Sequence, residues 1–172
     1  MANYIKYNHI YAHFEFDQLE AMKNHDTKAY EDMMWHIIDG IRLYDLWVKS
    51  SVLGYSEIQM WQIVADHLRF RYHAPVLNRL LDFVFEKEAA LKEAIFAISE
   101  KNDDGKYRTP LGLGDDGIGD WCSFVVGIGR EQYEELLGDK DALREACVNV
   151  GWAVEKFTYA IVDAIETDED NQ

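Results

Sequence analysis

Proline, cysteine and basic side chains are all scarce in this chain. Only Pro75 and Pro110 interrupt 172 residues. Proline breaks helices, so long helices are open to the sequence on either side of both. The two cysteines, Cys122 and Cys147, stand far apart. Two such thiols make neither a disulfide framework nor a Cys-x-x-Cys metal motif, and a cytoplasmic, reducing setting is expected. No apolar run approaches the roughly 18 residues of a membrane span. The first residues lack the continuous apolar stretch and small-residue cleavage site of a targeting peptide. Lys and Arg number 17 against 32 Asp and Glu, a net charge of −15. That balance opposes binding to nucleic acid or to an anionic membrane surface. No GxSxG, GxxxxGK[ST] or HExxH motif occurs, and no GxGxxG follows a strand.

What is present is a core-forming composition. Hydrophobic residues make up 48%, with 10 Tyr, 8 Phe and 5 Trp, which excludes disorder over most of the chain. The length fits one domain. The acidic excess is uneven. Residues 1–100 hold 15 acids and 10 bases, and residues 101–172 hold 17 acids and 7 bases.

Apolar residues recur at helical spacing. Tyr30, Met34, Ile37, Ile41, Tyr44 and Val48 predict one central helix over Lys28–Lys49, which Thr27 can cap. Gly40 inside this stripe predicts a close approach or a kink. Ser56 and Glu57 open a second helix with Trp61, Val64, Leu68 and Tyr72 as its stripe. Pro75 stops it and starts a third, over about 75–98, whose apolar stripe Glu88 interrupts. Residues 99–117 form a long Gly/Asp-rich loop. Helical spacing resumes at Trp121, Val125, Ile128, Tyr133, Leu136 and Leu137. It continues after a cap at Asp139 with Leu143 and Cys147, and closes over 154–165. The first 26 residues read as strand or helix, with helix preferred. The expected fold is mainly α, one compact domain of six or seven helices over 1–165, with an acidic frayed tail over 166–172.

Four groups could carry chemistry. His9, His13 and Asp17 share a face in either conformation, but two or three ligands without a partner motif do not complete a metal site. His36 lies between Asp32 and Asp39 at helical spacing, where carboxylates favour its charged form. Asp66 to His73 is the basic cluster, fit either for an anion or for a helix C-terminus. Asp115, Asp116, Gly117 and Asp120 put three carboxylates between glycines at a helix start. They can cap that helix or hold a hard cation, although the EF-hand pattern is not met. Cys122 beside them reads as a buried packing residue. No histidine follows His73 to activate it.

Asp115-Asp116-Gly117-Ile118-Gly119-Asp120-Trp121, then Ser123 to Val126, then Gly129-Arg130-Glu131-x-Tyr133-Glu134 resembles the domain of unknown function 4240 family. Leu137, Asp141 to Leu143, and more loosely Glu155-x-Phe157-x-Tyr159, extend the resemblance. It covers about residues 114–160, under a third of the chain. Ile118 stands where that family usually has an aromatic residue, and Cys122 where it often has Arg. The resemblance implies a small, mainly helical protein and supplies no activity.

Together these readings favour a protein-binding module over an enzyme, with no cofactor and no metal. The expected module is acidic and cytoplasmic, an immunity- or inhibitor-type protein that covers a basic partner surface. Its expected binding residues are Asp115, Asp116, Gly117, Asp120, Arg130, Glu131, Glu134 and Glu135. The alternatives are a small enzyme or ligand-binding protein built on the Asp115/Asp116/Asp120 loop, and a structural subunit without chemistry.

Overall fold

The computed structural model describes residues 14–101, 103, 107–110, 112, 115–149 and 157–169. Among them the fold is mainly helical. The helices are α1 (Phe16–His25), α2 (Thr27–Ile41), α3 (Leu43–Leu53), α4 (Glu57–Arg69) and α5 (Ala74–Ala97). After two short strands come α6 (Asp115–Ile128), α7 (Arg130–Gly138), α8 (Lys140–Asn149) and α9 (Phe157–Glu169). The expected loop over 99–117 contains the strands, β1 (Glu100–Lys101) and β2 (Tyr107–Arg108). They pair antiparallel, Glu100 opposite Arg108. His9 and His13 lie outside the described residues, as does most of the ambiguous N-terminal segment.

The predicted helix starts and stops have identifiable chemistry. Asp26, not Thr27, caps α2: the Ala29 N–H donates to its Oδ1 at 3.0 Å. Thr27 instead donates its hydroxyl to the Lys23 carbonyl. Ser56 caps α4 through a reciprocal pair with Gln59. Pro75 sits in the first turn of α5, where its missing N–H costs nothing. Asp139 accepts from the Asp141 and Ala142 N–H groups at the start of α8.

The long helix expected over Lys28–Lys49 is two helices. Arg42 takes a left-handed conformation, φ 54 and ψ 50, and separates α2 from α3. No neighbour approaches Gly40 closely; a side chain there would meet nothing within 4 Å. The break resets the helical phase. Tyr30, Met34, Ile37 and Ile41 are buried as their spacing predicts, but Leu43 takes over as the inward residue of α3. Tyr44 and Val48 turn out to solvent, 58% and 44% exposed. This break and a second turn at Gly129 give nine described helices where six or seven were expected.

The centre is shared by α2 and α5. Helix α5 packs on α1, α6, α7, α8 and α9, and α2 packs on α1, α4, α6 and α7. Trp35 joins three helices through its ring. It meets Phe83 of α5 edge-on at 5.3 Å and Tyr133 of α7 at 5.1 Å. The last helix returns to the middle, against α4, α5 and α6. Phe157, Ala160, Ile161, Ala164 and Ile165 form its inward face. Helix α9 runs on to Glu169, so residues 166–169 belong to it and not to a frayed tail.

Gly127 marks a close helix crossing. A Cβ there would lie 2.7 Å from Leu43 Cδ2 and 2.8 Å from Phe157 Cγ. The absent side chain lets α3 and α9 reach the backbone of α6.

Candidate functional site

Arg130 organises the polar contacts at the α6–α7 turn. Its Nη1 donates to Asp32 Oδ1 at 2.6 Å, and its Nε donates to Glu134 Oε1 at 2.7 Å. One arm therefore reaches back to α2, and the other stays within α7 at i,i+4. These bonds, first to Glu134 and then to Asp32, stabilise the guanidinium charge. Asp32 also accepts from Lys28. Hydrogen bonds from Lys28 and then Arg130 hold its carboxyl below the usual range.

Asp39, two turns along α2 from Asp32, reaches the same turn. Its Oδ1 accepts the Arg130 backbone N–H at 3.0 Å and so caps α7 from another helix. Gly129 makes the approach possible. It has φ 133 and ψ 175, a region open essentially to glycine alone. A Cβ at 129 would lie 2.5 Å from Asp39 Oδ1. Partial burial raises the Asp39 pKa, against the lowering effect of the Arg130 N–H, His36 and the Arg130 charge. Both carboxylates that helical spacing places beside His36 also serve Arg130.

The expected binding residues separate into two groups. Asp115 and Asp116 begin α6, and their side chains are outside the described set. Gly117 and Asp120 lie half-buried on the next turns. Arg130 follows the far end of this 14-residue helix. At 1.5 Å per residue the two ends stand about 20 Å apart. The expected binding set groups Arg130 and Glu131 with the Asp115–Asp120 carboxylates; the structure joins Arg130 to α2 instead. Glu131, Glu134 and Glu135 are exposed along α7. Among the described residues no three His, Cys, Asp or Glu side chains converge as metal ligands.

A second polar cluster escaped the sequence reading. Glu88 of α5, Ser123 of α6 and Thr158 of α9 meet inside the helix packing. Thr158 Oγ1 lies 2.8 Å from Glu88 Oε1 and 2.6 Å from Ser123 Oγ, and the Thr158 N–H donates to Ser123 Oγ at 3.2 Å. Burial raises the Glu88 pKa, while the two hydroxyls and Lys92 oppose the rise. The available signal was the interruption of the α5 stripe at Glu88. Neighbouring Cys122 is fully buried, and desolvation pushes its thiol up to about 12, as befits a packing residue.

Within the basic cluster at the end of α4, Arg69 is engaged locally. Arg69 pairs with Asp66 and lies over the Phe70 ring, 5.5 Å from its centroid. Burial, reinforced by Arg71, lowers the His67 pKa to about 4.

No family model, no curated protein and no solved structure matches the chain. The resemblance over residues 114–160 therefore rests on its residues alone.

Proposed function

We propose that the protein is a binding module that presents the acidic α7–α8 surface to a basic partner protein. The observation that carries this reading is the placement of charge on a rigid support. Residues 130–149 hold six acids, Glu131, Glu134, Glu135, Asp139, Asp141 and Glu145, against three bases. All six acids are exposed. Of the bases, Arg130 is engaged with Asp32 and Glu134, and Arg144 with Asp141. The opposite faces of these helices are anchored by Tyr133, Leu136, Leu143 and Cys147, all buried. A surface held this way loses little conformational freedom on binding. Its potential mainly accelerates encounter with a positive partner and rejects acidic ones.

An immunity- or inhibitor-type protein works in this manner, and that role belongs to the same proposal. So does membership of the domain of unknown function 4240 family, whose resemblance includes Glu131, Glu134 and Asp141 on this surface. The test is affinity capture from the native host with wild type and with a Glu131→Gln/Glu135→Gln/Glu145→Gln variant. A basic protein retained by the wild type, released by salt and lost by the variant supports the reading. Equal capture by both, or capture insensitive to salt, refutes it.

A further inference from the structure

Helix α1 is held to the rest of the molecule more by charge than by apolar burial. Of its ten residues Leu19 is fully buried, and Met22 is partly buried against the core. Helix α2, by contrast, buries seven side chains between Tyr30 and Ile41. The polar hold on α1 centres on Arg79 of α5. Its Nη2 pairs with Glu20, and its Nη1 donates to Asp82 at 3.1 Å. The guanidinium also lies over the Phe16 ring, 4.0 Å from its centroid. The Arg79 side chain is only 11% exposed, so Glu20 satisfies a charge that is largely shut away from water. Lys23 adds a long pair to Glu86, at 4.0 Å, and stands over the Tyr30 ring.

The junction between α1 and α2 has the form of a hinge. One residue, Asp26, separates the two helices, with φ −144 and ψ 71. Its carboxylate caps α2 through the Ala29 N–H, while α1 has its own reciprocal cap between Glu15 and Gln18. Each helix therefore carries its own start. Two hydrogen bonds cross the junction, from the Asp26 N–H to the Met22 carbonyl and from the Thr27 hydroxyl to the Lys23 carbonyl. Parting the helices breaks these two and leaves the α2 cap in place. A helix of ten residues is marginal in water by itself, so α1 melts once it leaves.

We propose that α1 is a strap that opens on its own, hinged at Asp26, while the domain built on α2 and α5 stays folded. Opening takes Glu20 and Phe16 off Arg79 and takes Lys23 off Tyr30. It leaves Arg79 with Asp82. The open form thus presents a guanidinium and an aromatic ring that α1 covers when closed. Local opening of this kind belongs to segments with few buried apolar contacts. The proposal is independent of the acidic-surface reading, whose residues lie on α7 and α8.

Hydrogen–deuterium exchange of the full chain, read by mass spectrometry across low urea concentrations, tests it. In wild type the α1 amides should exchange roughly tenfold or more faster than those of α2 and α5. They should also respond less to urea, because opening the strap exposes less surface than unfolding the domain. Two variants separate the strap from the whole. Glu20→Gln keeps the shape of the side chain and removes its charge, and should speed α1 exchange about tenfold. Ile161→Val trims a buried residue of α9, which packs on α4, α5 and α6. It weakens the closed and the strap-open forms alike, so it should speed exchange in α2 and α5 about fivefold and leave α1 unchanged. Exchange of α1 at the rate and urea dependence of α2 and α5 overturns the proposal. So does an α1 that Ile161→Val speeds by the same factor as α5, or one that Glu20→Gln leaves unchanged.

Discussion

Replacing Gly129 by Ala should destabilise the protein through two separable effects. The first is local. At φ 133 and ψ 175 an alanine is held in a region that costs about 1–3 kcal/mol. The second is tertiary. The new Cβ would lie 2.5 Å from Asp39 Oδ1, so the carboxylate must move and release the Arg130 N–H. Loss of a helix cap costs about 1 kcal/mol. Gly129→Ala should therefore cost about 2–4 kcal/mol. In a domain of this size each kcal/mol lowers Tm by about 2–4 °C. Asp39→Ala alone should cost about 1 kcal/mol. With the carboxylate already gone, Gly129→Ala should retain only its backbone cost. The double variant should thus be about 1 kcal/mol more stable than the two single costs together imply. Urea denaturation followed by tryptophan fluorescence measures all four proteins. Strict additivity would refute the contact between Asp39 and the turn. A cost for Gly129→Ala below about 0.5 kcal/mol would refute the whole account of the turn.

Other outcomes follow from the buried groups. Cys122 and Cys147 are buried, with thiols raised to about 12 and about 11, so both should resist alkylation at pH 8 in the native protein and react fully in denaturant. His67 refuses a proton that the unfolded chain accepts, since its pKa falls from 6.5 to about 4. Stability should drop as pH falls through that window, and His67→Gln should flatten the drop in pH-dependent melting curves. Glu88 acts in the opposite sense. Its raised pKa means that the folded state holds the proton more tightly, so its contribution is full below the ordinary 4.5 and is lost as pH rises through the folded value. Glu88→Gln should melt higher than wild type at pH 7 and lose that advantage at acid pH. Trp35→Ala removes the ring that joins α2, α5 and α7, and should cost about 3–5 kcal/mol in urea titrations.

Much of the helical framework was legible because helical period is a local property. Ser56, Pro75 and Asp139 each mark a helix start with their own chemistry, and the stripes through Trp61, Leu77 and Trp121 identify buried faces. The break at Arg42 was not legible. Nothing local distinguishes Arg42 from a helical arginine, and the stripe through Tyr44 and Val48 continues in phase across it. The inward position of Leu43, packed over Gly127, depends on residues far along the chain. The same limit applies to the site. Glu131, Glu134 and Glu135 are exposed on one helix, as their spacing implies. Asp39 lies 91 positions from Arg130, and no helical pattern links an acid to a cap on another helix. Glu88 was visible as an interruption, but its partners Ser123 and Thr158 come from two other helices.

The claim that matters most is that the α7–α8 acids face a basic protein. Titration calorimetry of the captured partner against wild type and the Glu131→Gln/Glu135→Gln/Glu145→Gln variant, across a series of NaCl concentrations, tests it most directly. The account predicts that wild-type affinity falls steadily with salt, and that the variant binds more weakly with a shallower dependence. Equal affinities with the same salt dependence would contradict it.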